Sequence, residues 1–449
     1  MKKLFGTDGI RGIAGTFLTE ELAKSAGNAL AKILNENNGN PKVVIGTDTR
    51  ISKDMLKDAL IAGLTLGGCN VFDLGVVSTP AVAYITLKKN ADAGIMISAS
   101  HNTYEYNGIK IFGADGFKLS DCAEDKIEEI IFSKEPEFIC DTAGIRISAE
   151  EYKAEYIKYL KDLVPSKLPI SIIIDCANGS AAATAKAIFE GSCKKIKYIG
   201  CAPDGKNINK DCGSTSLETL KKELKANNAD LGIAFDGDAD RFLAIDENGN
   251  EIDGDHVMAI LSLMLKEEGK LKKNTAVGTV MSNFGFSKFC ADNGINFVST
   301  KVGDRYVLEE MEKSGYSFGG EQSGHVIIRE HATTGDGQLT AAYILKAIEK
   351  YKKSPSELAS ILKKYPQRMI NISASAEQKA LFSTSEEIKA IIDEAERLLS
   401  GKGRILVRPS GTEPLVRIMV ESTDEKETSE ICENVARSIQ QILNTSDRK

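Results

Sequence analysis

Three α/β domains of similar design with parallel or mixed sheets, followed by a smaller C-terminal α+β domain, are predicted by three features of the sequence. Short Val/Ile-rich runs alternate with amphipathic stretches of helical length as far as residue 365, a pattern of sheets covered by helices. The run Ala91-Asp92-Ala93-Gly94-Ile95 returns 138 residues later as Ala229-Asp230-Leu231-Gly232-Ile233, and this marks an internal repeat. A chain of 449 residues can also fill three or four cores of ordinary size.

In the first domain (1–150), strands are expected at 43–46, 71–74 and 91–98, with helices at 52–66 and 79–88 between them. The second (151–250) restarts with a buried strand at 170–175, an Ala-rich helix at 180–189, a strand at 196–199, a helix at 217–227 and a strand at 229–236. The third (251–365) reads as helix 257–267, strand 276–281, helix 286–293, strand 296–299, helix 305–313 and strand 316–319. After Pro366 the pattern changes. Strands at 369–373, 404–408 and 415–420, with helices at 385–399 and 425–443, give 366–449 a small, antiparallel α+β design, and residues 444–449 are expected to fray.

Lys+Arg number 57 and Asp+Glu 64, a formal charge of −7 that offers no general attraction for nucleic acid or anionic membranes. An anionic substrate therefore needs a local basic pocket. No run approaches the ~18 apolar residues of a membrane span, and the start Met1-Lys2-Lys3-Leu4-Phe5-Gly6 lacks the apolar core of a secretory signal. Nine cysteines, an odd number with no CxxC pair, fit reduced thiols packed as small core residues. A cytoplasmic location is expected.

Four loops carry the chemistry. In Asp236-Gly237-Asp238-Ala239-Asp240-Arg241 three carboxylates alternate after a buried strand, so an extended backbone projects them to one side, where their mutual repulsion calls for a cation. Few hard oxygen ligands suit Mg²⁺, which completes its shell with water or phosphate oxygens. Glu247 stands at the twelfth position of an EF-hand register, but Arg241 occupies the position that register reserves for Gly, and the following Phe242-Leu243-Ala244-Ile245 is strand-like. An aspartyl phosphatase using Asp236 as nucleophile is the rival from another class of enzyme. A solvated acidic turn is the plain alternative.

Under the 138-residue offset, Ser98, Ser100 and Asn102 of Ile97-Ser98-Ala99-Ser100-His101-Asn102 fall on Asp236, Asp238 and Asp240. Both loops thus leave the carboxyl ends of equivalent strands, where α/β sheets build their sites. Ser100 is the natural phosphoryl carrier, and its phosphate could join the three aspartates in holding the metal. His101 could contact the transferring phosphate. Lys110 and Arg241 lie near these loops and can oppose phosphate charge, and Lys110 could also assist proton transfer. The third copy offers Gly320-Glu321-Gln322-Ser323-Gly324-His325, in which Glu321, Ser323 and His325 suit sugar hydroxyls and His325 can also exchange protons. His256 and His331 read as structural. In Arg408-Pro409-Ser410-Gly411-Thr412-Glu413-Pro414, a guanidinium, two hydroxyls and a turn Gly form a plausible anion nest, with Arg417 in reach as a second fork.

Taken in order, these motifs resemble the α-D-phosphohexomutases over essentially the whole chain. Phe5-Gly6-Thr7-Asp8-Gly9-Ile10-Arg11-Gly12 begins the series, with Thr7 and Arg11 as further site residues. Within the family, Val302-Gly303-Asp304-Arg305-Tyr306-Val307 and the 320–325 loop look like the branch that interconverts glucosamine 6-phosphate and glucosamine 1-phosphate. The resemblance implies a heart-shaped four-domain architecture, a phosphorylated Ser100, and Mg²⁺ bound by Ser100 or its phosphate with Asp236, Asp238 and Asp240. It further implies a sugar bisphosphate as primer and intermediate, and a homodimer acting on a small amino-sugar phosphate that feeds UDP-N-acetylglucosamine and cell-wall synthesis. The other members considered are phosphoglucomutases and phosphomannomutases, and a noncatalytic sugar-phosphate sensor is the remaining alternative. One departure is visible: Thr103 follows Asn102 where relatives carry Pro, which removes a backbone restriction.

Overall fold

The computed structural model describes residues 4–6, 8–36, 39–133, 136–410 and 414–446. Thr7, Gly411 and Thr412 lie outside them. The chain forms two compact units, the first of residues 1–281 and 293–361, the second of 282–292 and 362–449.

The first unit carries three sheets. In the first, strands β1 (Phe5–Gly6), β2 (Gly9–Ile13), β3 (Lys42–Thr47), β4 (Asn70–Val76), β5 (Ala93–Ile97), β6 (Tyr106–Gly113) and β7 (Arg146–Ser148) run in the order β1-β2-β6-β5-β3-β4-β7. Strands β8 (Leu168–Asp175), β9 (Cys193–Ile199), β10 (Leu231–Phe235), β11 (Phe242–Asp246) and β12 (Glu251–Ile252) form β12-β11-β10-β8-β9. Strands β13 (Thr275–Thr279), β14 (Asn296–Thr300), β15 (Phe318–Gly320) and β16 (Val326–Ile328) form β14-β13-β15-β16.

One four-strand unit therefore recurs, as β4-β3-β5-β6, β9-β8-β10-β11 and β14-β13-β15-β16. Its first three strands are parallel and the last is antiparallel. The fully buried runs Ala93–Ile97 and Leu231–Phe235 explain why the middle strands read as continuous apolar sequence. In each copy the antiparallel return hangs the loop between the third and fourth strands off the sheet's carboxyl end. These loops are 98–105, 236–241 and 321–325. The offset of 138 holds for the strands but slips in the loops. The left-handed residues are Ser100 (φ 51°) and Ala239 (φ 56°), which are 239 − 100 = 139 apart.

Several elements differ from expectation. The Ala-rich stretch at 180–189 is not one helix: a 3₁₀ turn at Ser180–Ala183 and a short helix at Ala185–Phe189 are separated by Thr184 at φ −127°. The reading also passed over the helices Glu20–Asn35 and Gly337–Tyr351, although each opens on a side-chain cap, Thr19 accepting from Leu22 N–H and Asp336 from Leu339 N–H. Glu20–Asn35 packs against the helix Lys53–Leu66, and its Leu30 shares a core with Val43, Ile45, Leu60 and Ile95.

Asp336 is fully enclosed and also accepts from Tyr156 Oη at 2.8 Å. Burial pushes its carboxyl up to about 6, against the bonds from Leu339 and Tyr156. A raised acid favours the protonated folded state, so its contribution falls as pH rises from about 4 through about 6. Asp336→Asn keeps an oxygen for the cap and removes the ionisation. The variant is expected to gain about 1–3 kcal/mol over the parent at pH 8 and little at pH 4, measured by denaturant unfolding at both values.

The second unit is built on β17 (Gln367–Ser373), β18 (Gly403–Pro409) and β19 (Leu415–Ser422), antiparallel in the order β17-β19-β18. Ile388, Ile418, Val435 and Ile439 of this sheet and of the helices Glu386–Leu398 and Glu425–Ser446, with Leu399 just past the first helix, fill its core. Buried Glu421 accepts from Arg404 Nε at 2.7 Å and from Phe284 N–H at 2.9 Å, tying 282–292 into the same body.

Candidate active site

The three loops of the first unit meet backbone to backbone. Gly237 lies against the Ser100 carbonyl so closely that a Cβ would stand 2.5 Å from its oxygen. Gly324, at φ 90°, would put a Cβ 2.2 Å from the Phe242 carbonyl oxygen, and Arg241 and His325 form a β-bridge there. Thr79 N–H donates to the Asp238 carbonyl at 3.0 Å, and Gly337 N–H to that of Ala239 at 3.0 Å.

This convergence brings Ser100 Oγ to 2.6 Å from Asp236 Oδ2, to which it donates. Asp236 Oδ1 accepts the Arg241 amide at 3.2 Å, so both of its oxygens are engaged inside the core, an arrangement unsuited to a phosphatase nucleophile. Asp236, Asp238 and Asp240 each offer an oxygen within 4.8 Å of the others, and all three are buried. Asp238 Oδ1 and Asp240 Oδ1 are buried without a hydrogen-bond partner. Buried hard oxygens lacking donors fit a divalent cation, so this trio could bind a metal. Glu247 accepts from Ser356 N–H and Oγ instead, at 3.1 and 2.5 Å, so it is no part of a calcium loop.

Lys110, 1% exposed, donates to Asp238 Oδ2 at 2.8 Å and Asp240 Oδ2 at 3.3 Å, and pairs with Asp8 Oδ2 at 3.1 Å. Thr79 Oγ1 adds a bond to Asp238 Oδ2 at 2.5 Å. Burial opposes the charge on Lys110, but Asp238 and Asp240 outweigh it and hold the ammonium above its ordinary range. Burial likewise opposes ionisation of Asp240, yet Lys110, His325 and Arg241 hold it well below the usual carboxylate range. Asp236 is pushed well up, by burial and then by the charges of Asp240 and Asp238. Among crowded carboxylates, those paired with a cation stay ionised and the one left beside them is pushed up.

His101 Nδ1 lies 3.4 Å from Ser100 Oγ, and burial, with Arg241 and Arg11 nearby, brings its pKa down to about 4, so the ring is neutral at pH 7. His325 accepts the Gly335 amide on Nε2 at 3.0 Å, which puts its proton on Nδ1, 3.7 Å from Asp240 Oδ2. Lys118 joins Asp8 to Asp304, and Arg11 pairs with Asp8.

A cleft of about 420 Å³ opens onto Ser100, His101, Arg11, Arg241, Glu321, Ser323 and His325, a size suited to a small metabolite. Ser323 Oγ is buried there without a hydrogen-bond partner, and Glu321 Oε1 accepts the Gly303 amide at 3.0 Å. A larger cavity of about 700 Å³ lies beside it and shares Asp304 and His325, but it touches neither Ser100 nor the aspartate trio. His256 and His331 lie elsewhere: the first caps the helix Gly254–Glu267 with Asp253, and the second bonds Tyr159 and Tyr343 at 2.5 Å each.

In the second unit, Arg408 and Arg417 face each other across β18 and β19. Opposed like charges repel, so the pair concentrates positive charge at this end of the sheet. Lys379 Nζ donates to the Ser410 carbonyl at 3.0 Å and adds a third cation at the turn.

The sequence reading did not assign roles to Asp8, Thr79, Lys118, Asp304 or Lys379, nor to Asp48, Arg50 and Asn209, which grip the serine loop. Asp8 and Asp304 stand within motifs already singled out. Asp48 and Arg50 carried a usable signal, two charged residues at alternate positions directly after a buried strand. Asn209 carried none.

Comparison with known proteins agrees with this geometry. Models of the phosphoglucomutase/phosphomannomutase family match in order: α/β/α domain I at residues 2–138, domain II at 154–249, domain III at 253–365 and the C-terminal domain at 369–438. The phosphoglucosamine mutase of Caldicellulosiruptor saccharolyticus is 50% identical over 449 residues, covering 99% of this chain and 100% of that protein. That of Clostridioides difficile is 46% identical over 448 residues, with the same coverage. Among solved structures, a phosphoglucomutase/phosphomannomutase family protein from Burkholderia thailandensis superposes with a TM-score of 0.84 at 22% identity, covering 98% of this chain and 97% of that one. The N-acetylphosphoglucosamine mutase of Aspergillus fumigatus, solved with GlcNAc-6P and magnesium, gives 0.67 at 15% identity, covering 98% and 95%.

Proposed function

Because the chain belongs to the phosphoglucomutase/phosphomannomutase family, we propose that it interconverts glucosamine 6-phosphate and glucosamine 1-phosphate in the cytoplasm, with Ser100 as phosphoryl carrier. The observation that carries this reading is the 2.6 Å bond between Ser100 Oγ and Asp236 at the head of a cleft of metabolite size. Relatives near 50% identity named phosphoglucosamine mutase support the amino sugar as substrate.

In this reading phospho-Ser100 gives its phosphoryl to the free hydroxyl of the bound monophosphate. The bond from phosphorus to Oγ breaks and one to the sugar oxygen forms. The resulting bisphosphate turns round, and its original phosphate returns to Ser100. Asp236, Asp238 and Asp240, with the Ser100 oxygen or its phosphate, would hold Mg²⁺, and the magnesium in the Aspergillus fumigatus structure supports that choice. When bound, the ion supplies positive charge beside the transferring oxygens.

Lys110, kept charged, and Arg241 add to that field. We assign the hydroxyl proton to His101, whose neutral ring stands 3.4 Å from Oγ, with His325 oriented by Gly335 as its counterpart on the sugar side. Glu321 and Ser323 bind sugar hydroxyls. Arg408, Ser410 and Arg417, together with Gly411 and Thr412 of the same motif, would hold whichever phosphate is not reacting, and Arg11 lines the cleft with Ser100.

Coupled assays with glucosamine, glucose and mannose 6-phosphates, run with Mg²⁺ and a bisphosphate primer, test the reading. The amino sugar is expected to give the highest kcat/KM, and no isomerisation of any of the three would overturn it. A charge-assisted bond to phosphate is worth about 1.5–3 kcal/mol. Arg408→Ala and Arg417→Ala are therefore each expected to raise KM by about 10- to 100-fold, with a smaller loss in kcat.

A further inference from the structure

The geometry points to Arg50 and Asn209 as positioning residues that set the direction of the Ser100 hydroxyl by gripping the backbone on either side of it. This rests on the reading of Ser100 as carrier. Arg50 is fully buried, and all five of its side-chain donors are in use. Nε donates to Asp48 Oδ2 at 2.8 Å. Nη2 donates to the carbonyls of Ser100 at 3.0 Å and Asn102 at 2.9 Å, and Nη1 to those of Tyr106 at 3.0 Å and Thr103. A guanidinium saturated by four carbonyls and one carboxylate has no donor left for a substrate phosphate. Its effect is spent on a single loop.

Asn209 reaches the same loop from the second domain. Its Nδ2 donates to the Ser100 carbonyl at 2.8 Å and to that of Asn102 at 2.9 Å, repeating two of the Arg50 contacts from the other side. The amide of Ser100 is held by a side chain as well. It donates to Ser98 Oγ at 2.9 Å, and Ser98 in turn donates to Asp48 Oδ2 at 2.7 Å, the oxygen that pairs with Arg50. Both peptide groups flanking Ser100 are thus oriented by side chains. Ser100 itself sits at φ 51°, a left-handed conformation that a serine leaves readily when unsupported.

The clamp does for this loop what a proline after Asn102 would do by covalent restriction. Thr103, which stands at that position, has its carbonyl fixed by Arg50 instead. A nucleophile displaced by about 1 Å loses about 10²-fold in rate, whereas substrate affinity depends on other groups.

The test compares Arg50→Lys, Arg50→Ala, Asn209→Asp and Asn209→Leu with the parent enzyme in steady-state assays, with folded fraction checked by thermal melting. Lysine lacks the planar fork, and aspartate turns an oxygen toward two carbonyl oxygens. Arg50→Lys and Asn209→Asp are expected to lower kcat by about 10²-fold with KM within about threefold. Millimolar guanidinium, but not methylammonium, is expected to restore at least tenfold of the loss in Arg50→Ala. If the Arg50 variants do not fold, the two Asn209 variants decide the matter. A kcat within twofold of the parent in folded Arg50→Lys and Asn209→Asp would overturn the clamp, as would parallel losses that track only the folded fraction. Ser100→Ala run alongside separates the two readings: activity in that variant refutes the carrier itself, and normal turnover in the clamp variants refutes only the positioning.

Discussion

Ser100→Ala is expected to abolish turnover, with kcat down by about 10⁴-fold or more, while the thermal midpoint stays within about 2 °C of the parent. The two halves of this expectation have separate causes. Oγ donates one hydrogen bond, to Asp236 at 2.6 Å, and no amount of binding energy replaces a missing acceptor for the phosphoryl group. The conformation of the loop depends instead on main-chain atoms of Ser100, which alanine retains: the amide bound to Ser98 and the carbonyl bound to Arg50 and Asn209. Coupled assay, intact mass before and after phosphatase, and a melting curve on one preparation check all of this. Residual activity above about 1% of the parent would refute Ser100 as carrier.

Asp238→Asn is expected to cost about 10³-fold in kcat and to shift the Mg²⁺ concentration for half-maximal rate upward by at least tenfold. Asp238 Oδ2 accepts from Lys110 Nζ at 2.8 Å and Thr79 Oγ1 at 2.5 Å, while Oδ1 is buried without a hydrogen-bond partner. Asparagine keeps the shape, removes the charge, and offers an amide nitrogen either to the Lys110 ammonium or to the cation. The metal-free protein is expected to melt within a few degrees of the parent. The lost attraction to Lys110 is offset by relief from Asp236 and Asp240, each carboxylate pair costing roughly 3 kcal/mol at about 5 Å and an effective dielectric of 20. A magnesium titration of initial rates measures the effect, and an unchanged curve would remove Asp238 from the metal site.

Much of the architecture was legible before any coordinates. Strand 93–97 is apolar at every position because both faces of that sheet are covered, and the same reason made 231–235 visible as its repeat. Helix Thr79–Lys88 was read with its bounds intact, because Pro80 marks its first turn. Helix Glu20–Asn35 was missed although Thr19 and two glutamates announce its start, since Gly27 and Asn28 interrupt its apolar face. Both face neighbouring chain: a Cβ on Gly27 would stand 2.4 Å from the Leu60 carbonyl oxygen, and Asn28 Nδ2 donates to the carbonyls of Gly63 and Phe138. The break at Thr184 was equally hidden, because Ser180 N–H bonds the Gly237 carbonyl, a partner 57 residues away.

The sequence alone determined which groups could do chemistry, since hydroxyl, carboxylates and guanidinium at alternate positions after buried strands are a local pattern that needs no partner to be recognised. Only the tertiary structure decided how those groups are charged and aimed. Lys110 is an ammonium because two aspartates about 130 residues away close on it, and His101 is neutral because burial penalises its charged form and Arg241 and Arg11 stand near it. The orientation of Ser100 depends on Arg50 and Asn209, 50 and 109 residues distant. Field and direction arise from groups converging through space at the carboxyl ends of three sheets, and spacing along the chain holds no record of such distances.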